Sequence, residues 1–314
     1  MRAGTLEQEI ALKPKLSIIV PAMRGYDTVL AALDAWEAQT ARDQIELIVL
    51  CPCAPDPVQI PSGQFVLSTG SLLLHEARSL GIRRASADFI VLAEDHCLPD
   101  KSWAHAILAR LAGQWDAVGP ALRSGNPINS WTQASFLLGY GQWMNPMAGP
   151  AAVLPGHNGV IRKSALLELG DELEREMLVT AFLLRRLSSQ GCRFFLEAGA
   201  TMRHFDIAAG SRALYTFGCV GLGFGAVRTH RWPWVGRALY ALAMPAIAAK
   251  HWLRALTEYR RAGKEAGMRP ASVAVAAVLS AAWGMGEALG ALVGIRRVTP
   301  YIALSEIKPV TRQE

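Results

Sequence analysis

The sequence predicts an α/β fold, a mostly parallel sheet flanked by helices, with an apolar helical appendage at its C-terminal end. Three observations lead there. Short runs such as "LSIIV" and "DFIVLAE" are apolar throughout instead of alternating, the mark of strands covered on both faces. Amphipathic helical stretches separate those runs, so successive strands are joined by crossovers and lie parallel. Beyond residue 232 the composition shifts to Ala-rich, apolar helical segments.

The elements follow in order. Residues 1–14 read as a flexible tail, and 15–232 as the sheet domain. "LSIIVPAMRGYDTVLAALDAW" starts as a strand, breaks at Pro21 and resumes with Val29, Leu30, Leu33 and Trp36 at helical spacing. "QIELIVLCP" is a second buried strand and "GQFVLST" a weaker third. "SLLLHEARSLGIRRAS" is an amphipathic helix leading into the fourth, "DFIVLAE". Residues 123–157 mix aromatics with Gly, Pro and Asn, as in a partly helical excursion with long loops of the kind that carry binding surfaces. A short strand, two helices and a last strand, "RFFLE", complete the domain, with Leu173, Met177, Thr180, Leu184 and Leu187 as the buried stripe of the longer helix.

Residues 233–314 form two apolar helical segments around the basic stretch "TEYRRAGKEAGMR". A spanning helix needs about 20 apolar residues. The run from Arg237 to Lys250 is too short, whereas 271–295 is long enough but contains Glu287. If both segments spanned, the basic linker would lie across the membrane from the sheet domain, against the tendency of Lys and Arg to stay cytoplasmic. A hairpin on the cytoplasmic face of the membrane fits better, with a helical subdomain packed on the sheet as the other reading.

The 314 residues carry a formal charge of +6, which favours anionic partners such as phosphates or acidic lipids. Hydrophobic residues make up 51% and charged ones 18%, so some apolar surface is expected to face something other than water. The basic residues are scattered and lack an accompanying stacking pattern, which argues against nucleic acid. Five scattered cysteines and an N-terminus without an apolar leader suggest a reducing, cytoplasmic compartment. Cys51-Pro-Cys53 reads as buried free thiols rather than a metal or redox pair.

In open α/β sheets ligands bind beyond the carboxyl ends of the strands. The best strand, "DFIVLAEDHCLPDKSW", delivers Glu94, Asp95 and His96 there. Carboxylates suit Mg²⁺ or Mn²⁺ and imidazole adds affinity for Mn²⁺, so this end can hold a divalent cation; an N-cap at Asp95 is the plainer alternative.

Four stretches then point to a family. "LSIIVPAMRGYDTVLAALDAWEAQT", "EARSLGIRRASADFIVLAEDHCLPDKSW", "GHNGVIRKSALLELG" and "LLRRLSSQGCRFFLEAGATMRH" stand in an order and at spacings similar to those of the family 2 glycosyltransferases, which have the GT-A fold. The resemblance covers roughly residues 15 to 206. It implies that Pro21 opens the loop under the nucleotide base and that Arg78 faces the nucleotide. Glu94 and His96 take the two Asp-x-Asp positions with Asp95 between them. Asn158 and Arg162 match a Gly-x-Asn segment near the donor sugar, and His204 a position that assists the metal or diphosphate. Apart from the resemblance, His157 next to Asn158 is a loop histidine expected beside the anionic donor, although turn chemistry alone accounts for the Gly and Asn there.

The departures are in the metal and base motifs. No acid pair follows the second strand before Asp56, and His96 replaces a metal-binding Asp. Counting back from Gly191, Val179 and Thr180 occupy the place of the usual Glu-Asp pair whose Asp deprotonates the acceptor. Glu176 lies one helical turn earlier and is the expected substitute, with Glu174 second, although an acidic first turn is also what a helix dipole favours.

The resulting expectation is an inverting glycosyltransferase that uses Mg²⁺ or Mn²⁺. It would move a sugar from a nucleotide-diphosphate donor, a UDP-sugar being favoured, to a lipid-linked or glycan acceptor at the cytoplasmic membrane surface. The missing acids leave a second expectation: a catalytically degenerate GT-A domain that binds nucleotide sugar or acts as a membrane-associated scaffold.

Overall fold

The computed structural model describes residues 13–53, 60, 63–206 and 210–306. The expected tail through residue 12, and Asp56, lie outside the described residues.

The first half is built as its apolar runs require. Strands β1 (Leu16–Pro21), β2 (Ile45–Cys51), β3 (Gln64–Ser68) and β4 (Phe89–Leu92) pair in parallel in the order β3-β2-β1-β4. β1 is buried along its whole length, because helices cover both of its faces. Those crossovers are α1 (Leu30–Glu37) and α2 (Leu74–Arg84). Val29, Leu33 and Trp36 are buried at helical spacing, and Trp36 meets Trp103 edge to face at 5.0 Å.

The second half is mixed. After β5 (Cys97–Pro99) and α3 (Trp103–Leu111), β6 (Ala117–Ser124) is followed by α4 (Ser130–Tyr140) and β7 (Gly149–Ala151). β8 (Val160–Arg162) inserts antiparallel between β4 and β6. α5 (Lys163–Leu167), α6 (Leu173–Glu176) and α7 (Thr180–Ser189) then lead to the long strand β9 (Phe194–His204). β9 runs parallel to β6 but antiparallel to β5 and β7. A register shift between Pro120 and Ala121 of β6 bends β9, so its last residues reach β5.

The expected stripe Leu173, Met177, Thr180, Leu184 and Leu187 is buried, but it belongs to two helices rather than one. The chain turns extended at Val179 (φ −141°), which ends α6 and starts α7 afresh.

The remaining helices are α8 (Ser211–Thr229), α9 (Trp234–Leu242), α10 (Met244–Glu258), α11 (Ala271–Val293) and α12 (Ile295–Glu306). The apolar segment after Trp232 splits at Ala243, with Pro245 in the first turn of α10, where a missing N–H costs nothing. α8, assigned from sequence to the sheet domain, packs along α11, and α11 with α10 also packs on α4. α8 and α11 touch backbone to backbone: a Cβ on Gly286 would lie 2.1 Å from the Gly218 carbonyl oxygen. α11 is long and apolar enough to cross a membrane, and half of that stretch is buried by neighbouring helices.

All five cysteines are free. Cys51, Cys97 and Cys219 are buried as expected, while Cys53 is exposed because it lies beyond the end of β2.

Candidate functional site

The site lies where β4 ends. β1 and β4 run parallel, so Pro21 and Glu94 reach the same sheet edge, and the Ala93 N–H donates to the Ile19 carbonyl at 3.0 Å. Cys97 of β5 stands opposite His204 of β9, which sets His96 against His204: their Nε2 atoms are 3.1 Å apart. Glu94, His96 and His204 are all buried, and one ligand atom from each lies within 4.8 Å of the others.

Each imidazole has a carboxylate behind it. Asp95 Oδ1 is 2.5 Å from His96 Nδ1, and Asp206 Oδ2 is 3.3 Å from His204 Nδ1. Asp95 is hydrogen-bonded to His96 Nδ1, which fixes that ring with Nε2 facing His204, whereas Asp206 lies beside His204 Nδ1 without hydrogen-bonding it. Two ring nitrogens 3.1 Å apart repel unless a proton or a cation lies between them. Ligands about 2.1 Å from one ion and at right angles to each other are about 3 Å apart, so the spacing fits a shared metal. With two imidazoles and a carboxylate, the donor set suits Mn²⁺ or another transition ion better than Mg²⁺.

Glu94 is held on every side. The Tyr140 hydroxyl donates to both its oxygens (2.9 and 3.0 Å), and Asn158 Nδ2 donates to Oε2 at 2.6 Å. In return the Glu94 N–H donates to Asn158 Oδ1 at 3.0 Å. Asn158 makes this reciprocal pair from a left-handed backbone (φ 63°), which Asn tolerates better than most residues, while its own N–H donates to the Leu92 carbonyl. Burial alone would raise the Glu94 pKa, but the imidazoles of His96, His157 and His204 hold it well below the usual carboxylate range. Burial and the Glu94 charge push Tyr140 well up, so it remains a donor.

His157 Nδ1 is 3.4 Å from Glu94 Oε1, and its Nε2 is 3.2 Å from the Thr180 hydroxyl. Gly156 permits this contact, since a Cβ there would lie 2.6 Å from Thr180 Oγ1. Glu94, His157 and Thr180 line one end of a cavity of about 320 Å³ whose far wall is formed by α8, α10 and α11.

The structure therefore brings together Glu94, Asp95, His96, His157, Asn158 and His204. Pro21 sits at the same sheet edge, and Arg78 is buried on α2. Arg162 goes elsewhere: antiparallel register places it opposite Phe89 at the amino end of β4, where it bonds Asp116 at 3.0 Å and stacks on Phe89. Glu176 and Glu174 do not enter the cleft either. The break before Thr180 takes Glu176 off its face, to Arg186 at 2.8 Å and Arg175 at 3.6 Å, and Glu174 is exposed. Sequence reasoning missed Tyr140, which only the folding of the 123–157 excursion brings to Glu94, and Asp206, two residues beyond His204 in "RHFD".

The mixed sheet with helices on both faces is a GT-A-like fold. Among solved structures the chain is similar to GalNAc-T7 with UDP, GalNAc and Mn²⁺ (TM-score 0.51, 13% identity over 73% of this chain and 50% of that one). TarS of S. aureus is more distant (TM-score 0.46, 14% identity over 67% of this chain and 39% of that one). The chain thus spans about half, or less, of the length of these proteins. No protein-family model matches it, and no curated protein does.

Proposed function

We propose that the chain is a glycosyltransferase that uses a nucleotide-diphosphate sugar and a divalent cation, Mn²⁺ before Mg²⁺. The observation that carries this reading is the Glu94, His96 and His204 cluster at the strand ends, with Asp95 orienting His96 and Asp206 beside His204. A bound cation would neutralise the charge building on a departing diphosphate. A UDP-sugar is the favoured donor, in keeping with the UDP in the structure of GalNAc-T7.

The residues assign the remaining roles. His157 keeps its Nδ1–H toward Glu94 and accepts the Thr180 hydroxyl hydrogen at Nε2, so an acceptor hydroxyl in place of Thr180 would pass its proton to the same atom. That replaces Glu176 as the base. Glu94 and Asp206 are the only carboxylates lining the cavity among the described residues, and histidines engage both. Neither is available as a sugar nucleophile, which favours direct displacement with inversion.

Membrane placement rests on the helical layer. Trp234, Val235, Leu239 and Leu242 of α9 and Val278, Met285 and Leu289 of α11 expose large apolar side chains. A monotopic protein resting on the cytoplasmic leaflet, with a lipid-linked or glycan acceptor entering from that side, accounts for this surface.

Calorimetry of the full chain with UDP-, GDP- and dTDP-sugars, with and without Mn²⁺, tests the reading. We expect one donor to bind only with Mn²⁺ and a His96→Ala variant of unchanged melting temperature to lose that binding at least tenfold. Binding of no donor under either condition would overturn it. Metal-dependent binding without release of nucleoside diphosphate in the presence of acceptors would leave the non-catalytic binder.

A further inference from the structure

The far end of the cavity has a chemistry that sugar and nucleotide do not explain. Arg185 of α7, Arg228 of α8 and Lys250 and Arg254 of α10 line it, whereas the lining carboxylates, Glu94 and Asp206, belong to the strand-end site. Arg185 and Lys250 have no carboxylate at ion-pair distance among the described residues. Arg254 donates to the Leu138 carbonyl at 2.6 Å and lies over the Trp283 ring at 5.9 Å. Burial pulls the Arg254 pKa below its ordinary value; the Glu258 and Glu287 charges oppose that pull and the neighbouring Arg185 charge adds to it. Two acids stand near: Glu287, 3.8 Å from Arg228, already accepts from Tyr240 and His251, and Glu258, one turn from Arg254 on α10, is paired with Arg261 at 2.6 Å.

Arg254 is largely buried and Arg228 partly so, while Arg185 and Lys250 are exposed at the rim, so four like charges border one cavity and an anion seated among them would relieve their mutual repulsion. The same cavity is also lined by the apolar side chains of Leu178, Phe217, Val220 and Phe224. A soluble sugar would gain nothing from them. An apolar chain would, and α9 and α10, adjoining this end, carry the exposed apolar surface through which such a chain could arrive.

We propose that this end of the cavity is an acceptor subsite for an amphiphile with an acidic headgroup, a phosphate or a carboxylate on an apolar chain, held by Arg185, Arg228, Lys250 and Arg254. It deepens the transferase reading and rests on it for the word acceptor. Arg254 supplies fixed, largely desolvated charge, Arg228 is partly buried beside Glu287, and Arg185 and Lys250, exposed at the margin, close on the headgroup.

The test uses the full chain in phosphatidylcholine nanodiscs, with empty nanodiscs as the blank. Octyl phosphate, octanoate and octyl glucoside are titrated while Trp143 and Trp283, both in the cavity wall, report by fluorescence. At least one acidic probe should bind ten times or more tighter than octyl glucoside, and whichever binds better identifies phosphate or carboxylate. Arg185→Gln/Lys250→Gln, whose side chains hold no carboxylate, should weaken that probe tenfold or more with the melting temperature unchanged. Equal binding of neutral and acidic probes, or an unaffected double variant, would overturn the subsite. Saturating UDP with Mn²⁺ should leave octyl phosphate bound. Mutual exclusion would assign the cations to the donor instead and sink the proposal. Failure of UDP to bind while octyl phosphate binds would remove the transferase reading and leave the anion site standing.

Discussion

The carboxylate of Glu94 is ringed by Tyr140, Asn158 and three histidines, so much of the bonding in the cleft converges on it. Such a group is hard to replace without disturbing several neighbours. Asp95 is more informative, because among the described residues its side chain reaches the site through His96 Nδ1 alone and acts as a positioning residue. Losing the carboxylate behind a metal-binding imidazole typically weakens metal affinity by about 10- to 100-fold. We expect Asp95→Asn to lower Mn²⁺ affinity by that factor, measured by electron paramagnetic resonance titration, with little change in melting temperature. Unchanged affinity would mean that the imidazole is oriented by packing alone. These residues were partly legible in advance: Glu94, Asp95 and His96 follow an unmistakable buried strand. Asn158 and His204 were placed by motif order, whereas Tyr140 could not be, since an aromatic residue in a Gly- and Pro-rich stretch has no fixed destination until α4 packs.

At the scale of elements, three joints decide the site: the antiparallel β5–β9 pairing, the break between α6 and α7, and the close approach of α8 to α11. The last carries a buried polar cluster. Glu287 of α11 accepts from His251 Nε2 at 2.9 Å and from the Tyr240 hydroxyl. Burial pushes the Glu287 pKa up, but these hydrogen bonds and nearby Arg228 outweigh it and hold the group below its ordinary value. Burial dominates at His251 and lowers its pKa, keeping it neutral, while its ring stacks on Trp283 at 4.3 Å. Both shifts have the same sign for stability, because the unfolded chain takes up protons at these groups that the folded chain refuses. Stability from His251 is lost as pH falls below about 6.5, and that from Glu287 as it falls below about 4.5. We therefore expect melting temperature to drop between pH 7 and pH 4, and the drop to be shallower in a His251→Asn/Glu287→Gln variant. An equally steep drop in that variant would place the acid sensitivity elsewhere.

For the whole molecule, the question is what covers the apolar surface of α9 and α11. Trp234 is 63% exposed and Leu242 78%, values that a water-facing helix rarely sustains in contiguous side chains. Together with the net charge of +6, this favours a membrane surface bearing acidic lipid. The full chain should float with vesicles of phosphatidylcholine and phosphatidylglycerol. Replacing Trp234, Leu239 and Leu242 by Ala, at about 1 kcal/mol each for side chains that are only partly immersed, should weaken partitioning by roughly two orders of magnitude. Recovery of the wild-type chain in the vesicle-free fraction would remove the membrane from the account.

By itself the sequence determined the α/β class, the strands of the first half and the strand end that presents Glu94, Asp95 and His96. Uniformly apolar runs and helical spacing are local patterns, set by what each segment must bury. It also announced the helical region beyond the sheet by composition alone. Only the tertiary structure decided which acids enter the cleft. Glu176 stands one helical turn from Thr180 in the sequence, yet the extended backbone at Val179 sends it to Arg186 and leaves Thr180 against His157. In the same way Arg162, four residues from Asn158, is carried to the opposite sheet edge by an antiparallel strand. The joining of the helical layer to the cleft, with Arg254 and Arg185 in one cavity, has no sequence signature. It arises from packing between residues far apart in the chain, where burial and register, not local preference, choose the neighbours.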